Sequence, residues 1–161
     1  FSLRNLTKLI KSLVMFKLEA FFDTHIFKTT IRAMLFGILI TFLVQSSSIT
    51  TSLVVPLAGA GILKLRQIFP YTLGANIGTT MTSILASLAT GTIQSLSVAF
   101  GHLLFNIFGI VLIWPIPQLR NIPIKLASQF AERATQNKVY PFLYIVIVFF
   151  IIPLTLISIV R

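Results

Sequence analysis

Residues 45–52 read Gln-Ser-Ser-Ser-Ile-Thr-Thr-Ser and interrupt a stretch that is otherwise apolar. No Lys, Arg, Asp or Glu occurs from Ala33 to Leu63, so this polar segment lies in the middle of an uncharged run. A polar group in hydrocarbon without a hydrogen-bond partner costs several kcal/mol. The segment carries six hydroxyls beside an amide. It is therefore predicted to line a cavity, and the alternative is that its hydroxyls bond back to carbonyls of their own helix.

The composition of the chain is that of a membrane protein. Of its 161 residues 56% are hydrophobic and only 10% are charged, whereas a soluble domain has about 25% charged residues. The net charge is +10, and the basic residues lie between the apolar runs, which is typical of positive-inside loops. We therefore expect a lipid bilayer as the partner and no nucleic acid. The absence of cysteine excludes disulfides and thiolate metal sites.

Two further uncharged runs predict membrane-spanning helices. The run from Val139 to Val160 is long enough for one span of roughly 20 residues, predicted at 140–160. The run from Gln67 to Leu119 is long enough for two, predicted at 69–89 and 97–114.

The first run, residues 33–63, has two interpretations: one long span with a polar middle, or a re-entrant hairpin of two half-helices with the polar segment at its tip. In the hairpin, Arg32 and Lys64 lie on the same side of the membrane, together with the basic residues of 120–138. In the single span, Arg32 faces away from all later basic loops. The positive-inside rule favours the hairpin.

The remaining residues, 1–30, are predicted to form an amphipathic basic helix at the membrane surface, so that 31–161 is the membrane domain. Apolar residues recur there with a helical period, and basic residues occupy another face. A solvated amphipathic helix that packs on a partner is the alternative. Because the first residue is Phe1 rather than Met, we expect a fragment of a longer gene product.

A second polar cluster, with Asn76, Thr79 and Thr80, follows in the next run. Hydroxyl and amide groups can donate hydrogen bonds to an anion and can also coordinate a hard cation through oxygen. A broken helix adds N–H groups that suit an anion, and transporters place ion sites at such breaks. Gly74 and Gly78 flank Asn76 in this cluster. The alternative to a role in the site is that these glycines allow close packing against another helix.

The acidic residues all lie outside the uncharged runs, so no membrane carboxylate is available for proton coupling. An uncharged site instead favours cation-coupled uptake of an anion, because the two ions neutralise each other. His102 and Asn106 share a helix face. Hydrogen bonding to neighbouring helices is the favoured role for this pair over a metal or proton role. No paired carboxylates, Ser-His-acid arrangement or nucleotide loop is present in the sequence, so no enzyme is predicted.

Five segments of the sequence together resemble the type II sodium-dependent phosphate cotransporter family. They are Gln45–Ser48, Leu73–Thr80, Gly101–Asn106, Trp114–Pro117 and Ile152–Thr155. The resemblance covers nearly the whole chain and is weakest over the first thirty residues. It identifies the chain with the second, C-terminal repeat of that family.

The resemblance implies an all-α polytopic fold with a re-entrant hairpin and about three transmembrane helices, one half of an inverted-repeat transporter. It also implies sodium-dependent phosphate symport by alternating access, with Na⁺ as coupling ion, no cofactor and no other metal. The phosphate-binding residues would be Ser46, Ser47 and Ser48. The sodium-binding residues would be Gln45, Thr51, Asn76, Thr79 and Thr80.

Since the chain has one such motif and the family has two, the missing N-terminal repeat or a second copy is expected as a partner. The alternatives are the same scaffold carrying another oxyanion, or a non-transporting membrane subunit with a regulatory partner. We expect a multi-pass protein of the plasma membrane, and the absence of cysteine favours a bacterial inner membrane.

Overall fold

The computed structural model describes residues 22–160, and this part of the chain consists of helices joined by short connections, without strands. A short π-helical segment, Phe22–Ile26, precedes seven α-helices. They are α1 (Thr30–Val44), α2 (Ser47–Gly59), α3 (Leu65–Thr90), α4 (Ile93–Ile113), α5 (Pro117–Gln136), α6 (Val139–Val146) and α7 (Ile152–Val160). The predicted all-α class is confirmed. The predicted surface helix of residues 1–30 falls mainly on residues 1–21, which lie outside the described part of the chain.

Two stretches of the described chain are long and apolar enough to cross a membrane: Ile93–Ile113 and Val139–Ile159. They overlap two of the predicted spans, 97–114 and 140–160. Helix α3, which contains the third predicted span at 69–89, is 26 residues long but is not one of the two. Helices α1 and α2 are apolar but shorter.

The uncharged run of residues 33–63 does not form one helix, because it is broken at Gln45 and Ser46, where the polar segment begins. Thr29 caps the start of α1, and its side chain accepts a hydrogen bond from the Arg32 N–H at 3.3 Å. The helix ends at Val44, and the next residue, Gln45, has φ 55°. Ser46 is extended and caps the start of α2. The chain therefore leaves one helix and starts the next within two residues.

The chain divides after Pro117 into two compact units, and in the first the backbones of α1 and α3 are in direct contact. A Cβ atom on Gly37 would overlap the Tyr71 carbonyl oxygen, and one on Gly74 would overlap the Met34 carbonyl oxygen. A Cβ on Gly78 would lie 2.6 Å from Thr41 Cβ. The contact points advance together along both helices, so α1 and α3 run in parallel. Small residues give the close approach that is common between membrane helices.

Helix α2 returns toward the start of α1. Val54 in α2, Ala33 at the start of α1 and Tyr71 in α3 belong to one buried cluster, which also contains residues that flank both helices: Phe27, Ile62 and Leu63. The Tyr71 hydroxyl, in a fully buried side chain, donates a hydrogen bond of 2.9 Å to the Thr50 carbonyl. Both flanks of the broken helix are therefore held against the same part of α3.

A tight turn joins α3 to α4. Gly91 ends α3 with φ 66°, a conformation that glycine adopts without a steric penalty. The Thr92 side chain then accepts a hydrogen bond from the Ser95 N–H and caps α4. The hydroxyls of Thr90 and Ser95 lie 2.8 Å apart across the turn.

In the second unit, α6 and α7 are joined by a π-helical turn, Ile147–Ile151, which ends two residues before Pro153. Proline lacks the N–H that an α-helix needs and clashes with the carbonyl four residues earlier. A π turn changes the hydrogen-bond register at this point and lets the helix continue. The stretch from Val139 to Ile159 thus remains a continuous candidate span.

We expect Gly74→Ala in the complete protein to lower the thermal unfolding temperature in detergent, because the added Cβ meets backbone of α1 that cannot move aside. The expected cost is about 1–3 kcal/mol or more. Gly101→Ala is the matched control: Gly101 lies in α4 with nothing within 4 Å of an added Cβ. There the substitution should be neutral or stabilise by about 0.5–1 kcal/mol. Equal unfolding temperatures for the two variants would contradict the close contact of α1 and α3.

Candidate functional site

Gln45 holds the strained backbone at the helix break. Among the residues that the structure describes, it is the one residue other than glycine with a positive φ. Left-handed backbone costs a residue with a Cβ roughly 1–2 kcal/mol. The Gln45 N–H still donates to the Thr41 carbonyl at 2.7 Å, which closes the last turn of α1. Strain of this kind is typical of functional sites.

The start of α2 presents unpaired backbone donors. The Ser46 hydroxyl accepts from the Ile49 N–H at 3.3 Å, and the Ser46 carbonyl accepts from the Thr50 N–H at 3.0 Å. The N–H groups of Ser47 and Ser48 have no carbonyl within the helix to bond to, as in every first helical turn. They give this end of α2 a partial positive charge.

Several side chains around these donors make no hydrogen bond within the described part of the chain. Within residues 22–160, the hydroxyls of Ser47 and Ser48 and the side-chain amide of Gln45 make no hydrogen bond to protein. Gln45 and Ser48 are exposed, and Ser46 and Ser47 are half-buried. The break therefore collects backbone N–H, hydroxyl and amide groups that are free to bind a small polar ligand.

The hydroxyls one turn further along α2 use their protons locally. Thr51 donates to the Ser47 carbonyl at 2.8 Å, and Ser52 donates to the Ile49 carbonyl at 2.8 Å. For these residues the local bonding considered as an alternative for the segment is the observed arrangement. A hydroxyl whose proton is used in this way still has lone pairs for a cation.

The second cluster, in α3, bonds in the same manner. Thr79 donates to the Ala75 carbonyl at 3.0 Å, and Thr80 donates to the Ile77 carbonyl at 2.6 Å. Thr80 is fully buried, Thr79 is half-buried and Asn76 is exposed.

The contact between α1 and α3 brings one end of each cluster close to the other. Thr41, one turn before Gln45, packs against Gly78, which precedes Thr79. In the described chain no hydrogen bond joins Asn76, Thr79 or Thr80 to residues 45–48. The structure thus brings the ends of both clusters to the same level of the α1–α3 pair without a direct bond between them.

Thr41 is a polar residue of this region that sequence reasoning missed. Its side chain is fully buried, and its hydroxyl has no hydrogen-bond partner. A single Thr in an apolar run is indistinguishable from an ordinary core residue. Its position four residues before Gln45 places it on the face of α1 that meets α3.

The site carries no formal charge. None of the predicted site residues is acidic or basic, and the described residues contain no group of three His, Cys, Asp or Glu side chains that could hold a metal ion. His102 is exposed on α4, and the buried Nδ2 of Asn106 lacks a partner. The arrangement suits ions that are bound by neutral oxygens and N–H groups.

The sequence model of the family described as Na⁺/Pi-cotransporter matches residues 1–127, which include both clusters. No solved structure matches the chain.

Three curated relatives are sodium-dependent phosphate transport proteins. Protein 2B of Bos taurus is 45% identical over 125 residues, covering 76% of this chain and 18% of the relative. Protein 2B of Homo sapiens is 44% identical over 126 residues, with 76% and 18% coverage. Protein 2A of Oryctolagus cuniculus is 41% identical over 124 residues, with 75% and 19% coverage. The chain therefore spans about a fifth of the length of these relatives. On the match over residues 1–127, this chain belongs to the Na⁺/Pi-cotransporter family.

Proposed function

We propose that this chain is the C-terminal half of a sodium-dependent phosphate symporter that works by alternating access. The observation that carries the proposal is the helix break at Gln45–Ser46, where uncommitted N–H and hydroxyl donors interrupt an apolar stretch. Family membership supports the choice of ions, since the relatives are named for sodium-dependent phosphate transport. The plasma membrane, with a bacterial inner membrane favoured, remains the proposed location.

The break is proposed to lie at the tip of a re-entrant hairpin. Helix α1 has 15 residues and α2 has 13, lengths of about 22 and 20 Å. Both are shorter than the roughly 30 Å of a bilayer's hydrocarbon core. Because both flanks pack in one cluster around Tyr71, entry and exit on the same side of the membrane fit these lengths better than a single crossing.

Phosphate is assigned to Ser46, Ser47 and Ser48. The two free N–H groups at the start of α2 and the unused hydroxyl protons of Ser47 and Ser48 are donors, which an anion requires. The Ser46 hydroxyl accepts from Ile49, so its own proton is also available. Helix N-termini with such donors bind phosphate groups in many proteins.

Sodium is assigned to the groups that offer oxygen lone pairs. Thr51, Thr79 and Thr80 direct their protons to their own helices and keep lone pairs for a cation. The side-chain carbonyls of Gln45 and Asn76 are the further ligands of this assignment. The assignment therefore divides the hydroxyls by their hydrogen bonds. Hydroxyls that donate to a carbonyl of their own helix are assigned to Na⁺, and hydroxyls whose protons are unused are assigned to phosphate.

Coupling follows from the neutrality of the site. A phosphate anion alone in a low-dielectric site is costly, and so is a bare Na⁺. When both bind together, each lowers the electrostatic cost of the other, which favours joint occupancy. The other half of the site is assigned to an inverted N-terminal repeat or a second copy, consistent with the much greater length of the relatives.

Replacing the phosphate ligands tests this assignment. In the complete protein, we expect Ser47→Ala and Ser48→Ala to weaken phosphate binding, because a hydrogen bond to a charged group contributes about 1.5–3 kcal/mol. This corresponds to an increase of roughly tenfold to a hundredfold in the phosphate concentration for half-maximal uptake. Na⁺-driven uptake of radiolabelled phosphate into proteoliposomes measures the effect.

Ser52→Ala is the matched control, because Ser52 lies on the same helix and bonds only to the Ile49 carbonyl. Its uptake should equal that of the wild type. Unchanged uptake and unchanged Na⁺ dependence in both Ser47→Ala and Ser48→Ala would reject the residue assignment. Inhibition by sulfate as strong as inhibition by unlabelled phosphate would assign the scaffold to another oxyanion.

The sodium ligands give a different kinetic signature. Thr51→Val and Thr79→Val keep the side-chain shape and remove the oxygen, so we expect a higher Na⁺ concentration for half-maximal uptake. Phosphate affinity should recover at saturating Na⁺. Thr72→Val is the control, since Thr72 bonds back to the Phe69 carbonyl on the same helix as Thr79. A Na⁺ dependence equal to the control in both variants would show that these oxygens do not bind Na⁺.

A further inference from the structure

Helix α5 has an uncovered apolar face that the proposed transport site does not use. Leu119, Ile122, Leu126 and Phe130 recur at helical spacing, and their side chains are 42%, 49%, 61% and 37% exposed. Their positions share one side of the helix, since spacings of three and four residues return to the same face. Polar residues, including Ser128, lie on the opposite side, which also carries Ile124.

The charges of α5 are arranged around this apolar face. Arg120 and Lys125 lie on its two flanks, and Arg133 lies in line with it, one turn beyond Phe130. The helix carries one acid, Glu132. Basic side chains on or beside an apolar face can bury their aliphatic stems while their charged groups reach phosphate. This pattern is typical of helices that lie in the membrane interface.

The position of α5 along the chain gives the second argument. Three residues separate it from the candidate span that ends at Ile113, and two separate it from the one that starts at Val139. If both stretches cross the membrane, both ends of α5 are held at the membrane surface. A helix of 20 residues with Pro123 inside it, about 30 Å long, then lies along that surface.

An aromatic contact indicates how deep the helix lies. The rings of Phe130 on α5 and Tyr144 on α6 have centroids 4.9 Å apart. Tyr144 is five residues into the candidate span that begins at Val139, which is about 7 Å along the helix. Interfacial helices bury their apolar faces by about 5–10 Å, so the contact matches that depth.

We propose that α5 is an interfacial helix that inserts its apolar face into the bilayer and binds the phosphate headgroups of anionic phospholipids through Arg133, Lys125 and Arg120. The inference rests on the membrane insertion contained in the proposed function. It adds a lipid-binding surface on the second compact unit. The ligand class is an anionic glycerophospholipid, matched by three cationic side chains beside exposed apolar ones.

The insertion is tested with spin labels on the complete protein, in a variant without other cysteines. Leu126→Cys on the apolar face and Ser128→Cys on the polar face are each labelled in vesicles containing phosphatidylglycerol. We expect the label at 126 to be accessible to oxygen and shielded from a water-soluble nickel reagent, and the label at 128 to show the reverse. Shielding of position 126 from both reagents would mean that protein covers the face, and equal exposure of both positions to water would place α5 in solvent. Either result overturns the proposal.

Headgroup binding is tested by the selectivity of the protein for spin-labelled phosphatidylglycerol over phosphatidylcholine. We expect Arg133→Gln to lower the association constant for phosphatidylglycerol by up to about fivefold, and Arg133→Lys to leave it unchanged, because one basic residue near the surface contributes about that factor. Salt at about 0.5 M should weaken the preference. Absence of any preference for phosphatidylglycerol in the wild type would overturn the proposal.

Na⁺-dependent phosphate uptake is measured in the same vesicles, so that failure of the lipid-binding proposal can be distinguished from failure of the transport proposal. If the wild type shows no preference for phosphatidylglycerol but Na⁺-dependent uptake is intact, the lipid-binding role of α5 is rejected and the proposed transport function is not. Spin-label results as expected with no uptake reject the proposed transport function and leave the lipid-binding surface standing.

Discussion

Backbone contact between α1 and α3 holds the candidate site together. At Gly37 and Gly74 the neighbouring carbonyl oxygens occupy the space that a Cβ would need, and at Gly78 the neighbour is the Thr41 side chain. This approach fixes the last turn of α1 beside the polar cluster of α3. It also gives Tyr71 the position from which its hydroxyl binds the Thr50 carbonyl of α2. The helices before and after the break at Gln45 therefore both contact α3. These contacts stabilise the left-handed backbone of Gln45, which is unfavourable in isolation.

Hydroxyl groups of the same type have two chemical roles around the break. Those that bond back to their helix, such as Thr51 and Thr79, offer lone pairs, whereas Ser47 and Ser48 keep their protons and sit next to free N–H groups. A neutral region can in this way offer ligands for a cation and for an anion without any charged side chain. The absence of charge makes binding of either ion alone costly, and this cost is the proposed physical basis of coupling.

Local pattern in the sequence predicted the helical class, the two candidate spans and the polar interruption at Gln45, because apolar run length and clustered hydroxyls are visible without tertiary structure. Close helix packing was one predicted role of Gly74 and Gly78, but the parallel pairing of α1 with α3 was not predictable, because a glycine does not identify the helix that it meets. Burial of Thr41 depends on that pairing and was missed for the same reason. Helix α5 was also missed: residues 120–138 were read only as a basic loop, although the spacing of Leu119, Ile122, Leu126 and Phe130 is helical.

The central claim is that the chain reverses at Gln45 inside the membrane, so that both flanks of the broken helix lie on one side. Lys28 and Lys64 are exposed residues just before α1 and just after α2. Replacing each with cysteine in the complete protein, and labelling intact cells and inverted vesicles with a membrane-impermeant maleimide, measures their sidedness directly. The account predicts that both positions react from the same side of the membrane. Reaction of Lys28→Cys from one side and Lys64→Cys from the other would contradict it.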